Sequence, residues 1–345
     1  MDRYIHGGDI YSRNIKLDFS SNINPLGMPD AALKALTSNI GMLEVYPDVN
    51  CTELVECISG FENVDPKNIF CSNGAADIIY RIVHAFHPKK ALLTAPSFSE
   101  YAHALEMVGC KIEYEMLSEE NDFELTECVL DKINSADIFF LGNPNNPDGK
   151  TVKPELLKRI CKKCSEKNVL LIIDECFMDF VKGNEYKTAK IYLDSGVIVL
   201  KAFTKFYAMA GLRLGYVICS DVDIIRKIKE TGPCWSVSSA AQLAGKAVFS
   251  DLDYYEKTRK YVWNERDYLS SSLEKLRFRV FSSEANFILF KSEYELEKEL
   301  EKVKIAVRNC ENYIGLNGNF FRTAVKKHEQ NEMLINALER IVANG

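Results

Sequence analysis

The sequence is defined first by what it lacks. No apolar run approaches the ~20 residues a helix needs to cross a bilayer, and the start, Met1-Asp-Arg-Tyr-Ile-His6, has no apolar signal region. A cytoplasmic chain is therefore expected, with no membrane partner. There is no long basic block, and the net charge is −6, which argues against nucleic acid as a partner. Internal repeats and low-complexity linkers are absent. Of the eleven cysteines, Cys161 and Cys164 form one CxxC, but no second ligand pair stands at a convincing spacing. No metal site is expected, and free thiols are the default for a scattered, odd number of cysteines.

What is present is a soluble globular composition in 345 residues, enough for one large core with a second lobe. One stretch organises the rest. An apolar run, Gly196 to Leu200, reads as a buried strand and leads into Lys201-Ala-Phe-Thr204-Lys205 and then Gly211-Leu-Arg213. Thr204 and Lys205 thus fall just past a strand end, where open α/β sheets place their ligands. A lysine there can form an imine with a carbonyl cofactor, and a fixed cation such as Arg213 suits a phosphate. Read alone, the same stretch is also compatible with an ordinary loop carrying two surface cations.

The chain around it repeats one pattern. Ile69 to Cys71 leads into Gly74-Ala75-Ala76 and a helix. Ala91 to Thr94 leads into Phe98. Asp137 to Leu141 leads into Asn143-Pro-Asn-Asn146-Pro-Asp-Gly149, and Val169 to Ile173 leads into Asp174-Glu-Cys-Phe177. Near-continuous apolar strands with helices between them predict a parallel sheet covered on both faces. Polar residues delivered at each C-terminal strand end would share one site. The free amides at a helix start beginning Gly74-Ala75-Ala76 would suit a phosphate.

Beyond about residue 250 the pattern changes. A long charged helix over 251–275 is followed by short strands at Arg279 and at Ala285 to Phe290. A charged helix from Glu293 to Lys304 reads as a solvated face. A strand from Phe320 to Val325 and a closing helix complete the chain. The expected fold class is α/β, a mostly parallel sheet flanked by helices with a smaller α+β C-terminal domain. The expected divisions are an N-terminal arm over 1–45 that also contributes to the small domain, a large domain over 46–248 and a small domain over 249–345. Residues 1 to 29 read as an arm rather than a packed element.

Asn143 to Gly149, Asp174 to Phe177, Thr204-Lys205 and Gly211-Leu-Arg213 together resemble the fold-type I pyridoxal-phosphate enzymes, in the branch of histidinol-phosphate aminotransferase and threonine-phosphate decarboxylase. The resemblance covers nearly the whole chain. It implies an aspartate aminotransferase-like large domain that binds pyridoxal 5'-phosphate, with Lys205 as the catalytic residue that carries it. Asp174 would pair with the ring nitrogen, Asn146 with the ring oxygen, and Phe98 would stack on the ring. Gly74, Ala75, Ala76, Thr204 and Arg213 would hold the phosphate. A homodimer is implied, in which Tyr46 reaches the cofactor of the partner subunit. Arg322 would bind the substrate carboxylate, with His6, Asn22 and Arg308 completing the substrate site.

Details lean toward the decarboxylase. His6-Gly7-Gly8, Leu17 to Gly27, Thr204-Lys-Phe-Tyr207 and Val307-Arg308-Asn-Cys310 look like that group. So does Phe177, where aminotransferases usually carry a tyrosine. Two positions depart from the wider pattern: Ala202 removes a hydroxyl that often contacts the phosphate, and Cys176 replaces a usual alanine. The expected substrate is a small phosphorylated amino acid or amine. The alternatives are an aminotransferase acting on histidinol phosphate and, outside enzymes, a non-catalytic cofactor-binding regulator.

Overall fold

The computed structural model describes residues 6–344. In chain order its strands are β1 (Leu17–Asp18), β2 (Ile69–Ser72), β3 (Lys90–Ala95), β4 (Lys111–Met116), β5 (Ile138–Gly142), β6 (Leu170–Asp174), β7 (Ile198–Ala202), β8 (Gly215–Ile218), β9 (Arg279–Val280), β10 (Phe287–Lys291), β11 (Ile305–Ala306), β12 (Arg308–Asn309) and β13 (Phe320–Ala324). Seven of them form one sheet in the order β2-β8-β7-β6-β5-β3-β4. Pairing is parallel from β4 across to β7, and β8 runs antiparallel to both of its neighbours.

The central strands β5, β6 and β7 are almost wholly buried, and apart from Asp174 and Lys201 near their C-terminal ends their side chains are apolar on both faces. Such strands need helices above and below. One side is packed by Ile78, Ile79, Ile82 and Val83 of the helix Gly74–Phe86 and by Leu105 of the helix Ser99–Met107. The other is packed by Leu157 and Ile160 of the helix Pro154–Lys167. Cys161 and Cys164 lie on the inner face of that last helix, where burial pushes both thiols up to about 12.

A four-stranded antiparallel sheet, β12-β13-β10-β9, carries the C-terminal part, covered by the helices Leu252–Lys275 and His328–Asn344. Two expectations need correction here. The N-terminal segment is packed rather than free: β1 pairs in parallel with β11, and Phe19, Asn22 and Asn24 are buried. The charged helix after Glu293 is shorter, Leu296–Lys302, and is more than a solvated face, because Leu296 and Leu300 are fully buried. Period 3.6 puts these two leucines on one side of a turn, and the charges occupy the other.

Beneath β7 lies a buried ion network. Lys201 donates to Glu62 Oε1 at 2.8 Å and to Asp179 Oδ1 at 3.1 Å, and Lys190 reaches Glu62 Oε2 at 2.8 Å. Tyr216 also donates to Glu62. Burial opposes ionisation of Glu62, but the two lysines outweigh it and hold the carboxyl down at about 2.

Candidate active site

The C-terminal ends of the parallel strands open onto a cavity of about 350 Å³. Its floor is Lys205, in the helical turn Phe203–Phe206 directly after β7. Burial is the main cause that lowers the Lys205 ammonium to about 8, and the charges of Arg322, Arg213 and Lys326 act in the same direction. A lysine neutral near pH 8 is a nucleophile. Its Nζ stands 6.0 Å from the centre of the Phe177 ring, which offers no donor.

Asp174 ends β6 and faces the same space. Tyr101 donates to its Oδ2 at 2.7 Å, and the backbone amide of Cys176 donates to its Oδ1 at 2.9 Å. Burial, then the charge on Asp174, keeps the Tyr101 phenol well above its usual value, so it remains a donor. Across the cavity Arg322, on β13, donates through Nη1 to Asn146 Oδ1 and through Nη2 to the Ser20 carbonyl at 2.8 Å.

A cradle for an anion is built where β2 ends. Gly74 opens the helix Gly74–Phe86 at φ +87°, and a Cβ there would meet Arg213 Nη2 at 2.8 Å. A Cβ on Gly215 would meet the Ala75 amide nitrogen at 2.6 Å. Both positions therefore need glycine for the guanidinium and β8 to approach the helix start. No side chain caps that start, so its first amides are free to meet an anion. Ala75, Ala76, Thr204 and Arg213 all line the cavity.

At the mouth, His6 Nε2 meets Glu100 Oε1 at 2.6 Å, and its ring lies 5.6 Å from that of Phe98. The His6 contact holds the Glu100 carboxyl below its usual value. Asn22 lines the cavity with its Oδ1 buried and without a hydrogen-bond partner among the described residues. Arg308 also lines it, bonded through Nη2 to Asn312 Oδ1 at 2.6 Å.

The structure thus brings together His6, Asn22, Ala75, Ala76, Phe98, Asn146, Asp174, Phe177, Thr204, Lys205, Arg213, Arg308 and Arg322. Gly74 stands behind the Arg213 guanidinium rather than in the cavity wall. Tyr46 is elsewhere: it is 80% exposed, against the Trp235 ring at 4.7 Å. Sequence reasoning passed over Glu100, Tyr101, Tyr313 and Lys326. Tyr101 carried no distinguishing signal, since a tyrosine in the first turn of the helix Ser99–Met107 reads as core.

The donor set fits pyridoxal phosphate: a buried lysine of lowered pKa, a carboxylate at the end of a central strand, and a glycine-backed cradle with a guanidinium beside it. The comparisons agree. The model of the class I and II aminotransferases matches residues 14–338. A protein of Caldanaerobacter subterraneus provisionally named threonine-phosphate decarboxylase is 38% identical over 100% of this chain and 96% of its own length. The threonine-phosphate decarboxylase of Salmonella typhimurium is 33% identical over 98% of this chain and 96% of its own. The crystal structure of the histidinol-phosphate aminotransferase from Clostridium acetobutylicum superposes with a TM-score of 0.90 at 33% identity, covering 96% of this chain and 100% of that one. The resemblance read from the motifs, the α/β fold class and the cofactor are borne out: the chain belongs to the class I and II aminotransferase family of pyridoxal-phosphate-dependent enzymes.

Proposed function

We propose that the chain decarboxylates a small phosphorylated amino acid of the O-phospho-L-threonine type. The observation that carries this is the charge of the cavity. His6, Lys205, Arg213, Arg308 and Arg322 line it against the carboxylates of Glu100 and Asp174. One phosphate at Arg213 leaves cations for two further anionic groups, which a phosphorylated amino acid has and histidinol phosphate does not. The two decarboxylase-named relatives, at 38% and 33% identity, support the same reading.

Pyridoxal phosphate supplies an aldehyde that condenses with amines and a ring that accepts the electrons of a bond broken at the substrate's α-carbon. Lys205 would bind the aldehyde carbon and, once displaced by the substrate amine, act as the nearby acid–base group. Asp174 would hold the ring-nitrogen proton, Asn146 would face the ring oxygen and Phe98 would cover one ring face. Gly74, Ala75, Ala76, Thr204 and Arg213 would hold the phosphate. Arg322 would orient the substrate carboxylate, with His6, Asn22 and Arg308 on its phosphate side.

A homodimer is part of the proposal. Leu33, Ile40, Leu43, Val45 and Tyr46 are exposed within one segment, and Trp235 stands beside Tyr46. Exposed apolar patches of this kind mark interfaces. Tyr46 would then serve the partner's cofactor. No helix in the described residues is long and apolar enough to cross a membrane. The cysteines are free thiols, which supports a reducing, cytoplasmic setting.

The aminotransferase reading is favoured by the TM-score of 0.90 to a histidinol-phosphate aminotransferase. The test mixes the loaded protein separately with O-phospho-L-threonine and with L-histidinol phosphate. Carbon dioxide release from the first, with the aldehyde form of the cofactor restored, is the expected result. Conversion of the cofactor to its amine form by the second, reversed by a 2-oxo acid, would instead assign transamination.

A further inference from the structure

Asp174 is an unusually isolated anion. Its hydrogen bonds in the described residues come from neutral groups, the Tyr101 hydroxyl and the Cys176 amide, and the Cys176 thiol lies against it. Tyr101 is 2% exposed, and its ring is fixed on two sides. It stacks on Phe140 with centroids 5.4 Å apart and planes 12° apart, and it meets Phe98 edge-on at 5.6 Å. The phenol therefore has one place to point, and Asp174 Oδ2 is there. Because each carboxylate oxygen carries a donor, rotating the carboxylate breaks both bonds. What it turns to the cavity is set from behind.

We infer that Tyr101 is a positioning residue: it locks the Asp174 carboxylate in the orientation that receives a protonated ring nitrogen. This rests on the cofactor reading above. It adds to that reading a residue of the helix Ser99–Met107, just past Phe98, whose hydroxyl is given to Asp174. Phe98 and Tyr101 then act as a unit, one turned to the cavity and the other to the carboxylate, with their rings in contact.

The test is equilibrium binding of two probes to the apoprotein, in wild type and in Tyr101→Phe. One probe is pyridoxal phosphate. The other is its 1-deaza analogue, which has a carbon in place of the ring nitrogen. The expected result is a roughly tenfold loss of affinity for pyridoxal phosphate, equivalent to about 1.4 kcal/mol, with less than a twofold change for the analogue. In an Asp174→Asn background the Tyr101→Phe substitution should change neither affinity. Equal losses for both probes, or no loss, would overturn the inference, because a merely structural tyrosine cannot sense the ring nitrogen. If thermal melting shows that Tyr101→Phe does not fold, 4-methylphenylalanine at position 101 keeps the volume without the donor and gives the same reading. Wild-type apoprotein that fails to bind pyridoxal phosphate would overturn the cofactor reading itself. Wild-type binding with an unchanged variant would sink the role of Tyr101 alone.

Discussion

Arg322 Nη2 donates to the carbonyl of Ser20 at 2.8 Å, tying the cation of β13 to the N-terminal segment. The same guanidinium donates to Asn146, at the end of β5. One side chain thus joins the beginning, middle and end of the chain at the cavity wall. Lysine at 322 carries the charge, but its single Nζ cannot replace the planar guanidinium whose two nitrogens reach Asn146 and Ser20 separately. Arg322→Lys should lower kcat/KM for the phosphorylated amino acid by about 10²-fold, reading the loss as ~2.7 kcal/mol of transition-state stabilisation. Pyridoxal phosphate affinity should stay within about threefold. Steady-state kinetics and a cofactor titration on one preparation check both.

Lys205 should cost the apoprotein stability at neutral pH. Its pKa falls from 10.5 in the unfolded chain to about 8 in the fold, so the unfolded state holds the proton more tightly between those values. Stability therefore rises with pH across that window, and the penalty is fully present below about pH 8. Apo Lys205→Met should be more stable than wild type at pH 7, by on the order of 2 kcal/mol. The difference should shrink toward zero near pH 10.5. Urea unfolding at several pH values measures it, and equal stabilities at pH 7 would remove the argument.

Glu62 is a structural counterpart. Removing it leaves Lys201 buried with Asp179 as its remaining ion-pair partner among the described residues. Glu62→Ala should destabilise the protein by about 3–5 kcal/mol. With a folded pKa near 2, the contribution of Glu62 is present above its unfolded value and is lost as pH falls from about 4.5 toward 2. Thermal melts of wild type and variant should therefore converge in acid.

Gly74→Ala should act on the cofactor rather than on folding. The new Cβ would press on Arg213 at a backbone φ of +87°. A tenfold or greater loss of pyridoxal phosphate affinity is expected, with a melting temperature of the apoprotein lowered by only a few degrees for ~1 kcal/mol of backbone strain. An unchanged affinity would show that the guanidinium has room to move aside.

Much of this architecture was legible because burial writes itself into strands. β5, β6 and β7 are largely apolar on both faces, and each delivers a cavity residue at or just past its C-terminal end: Asn146, Asp174 and Lys205. β4 was not legible. Its sequence, Lys111-Ile-Glu-Tyr-Glu-Met116, alternates charge with apolar groups because it is an edge strand. The insertion of β8 between β2 and β7 was also hidden, since pairing order is a long-range choice that no local run of residues reports. Tyr101 illustrates the same limit within the site: a buried tyrosine three residues past Phe98 reads as core until its hydroxyl is seen against Asp174.

The pairing of β1 with β11, and of β2 with β8, has a consequence for how the molecule is made. On the ribosome, β2 has no neighbour in the sheet until residues 215–218 have emerged, and the segment carrying Asn22 has no strand to join until residues 305–306 have followed. Much of the cavity wall is synthesised before the lysine, but Arg308, Tyr313 and Arg322 follow it only with the C-terminal sheet. The finished pocket therefore belongs to a nearly complete polypeptide.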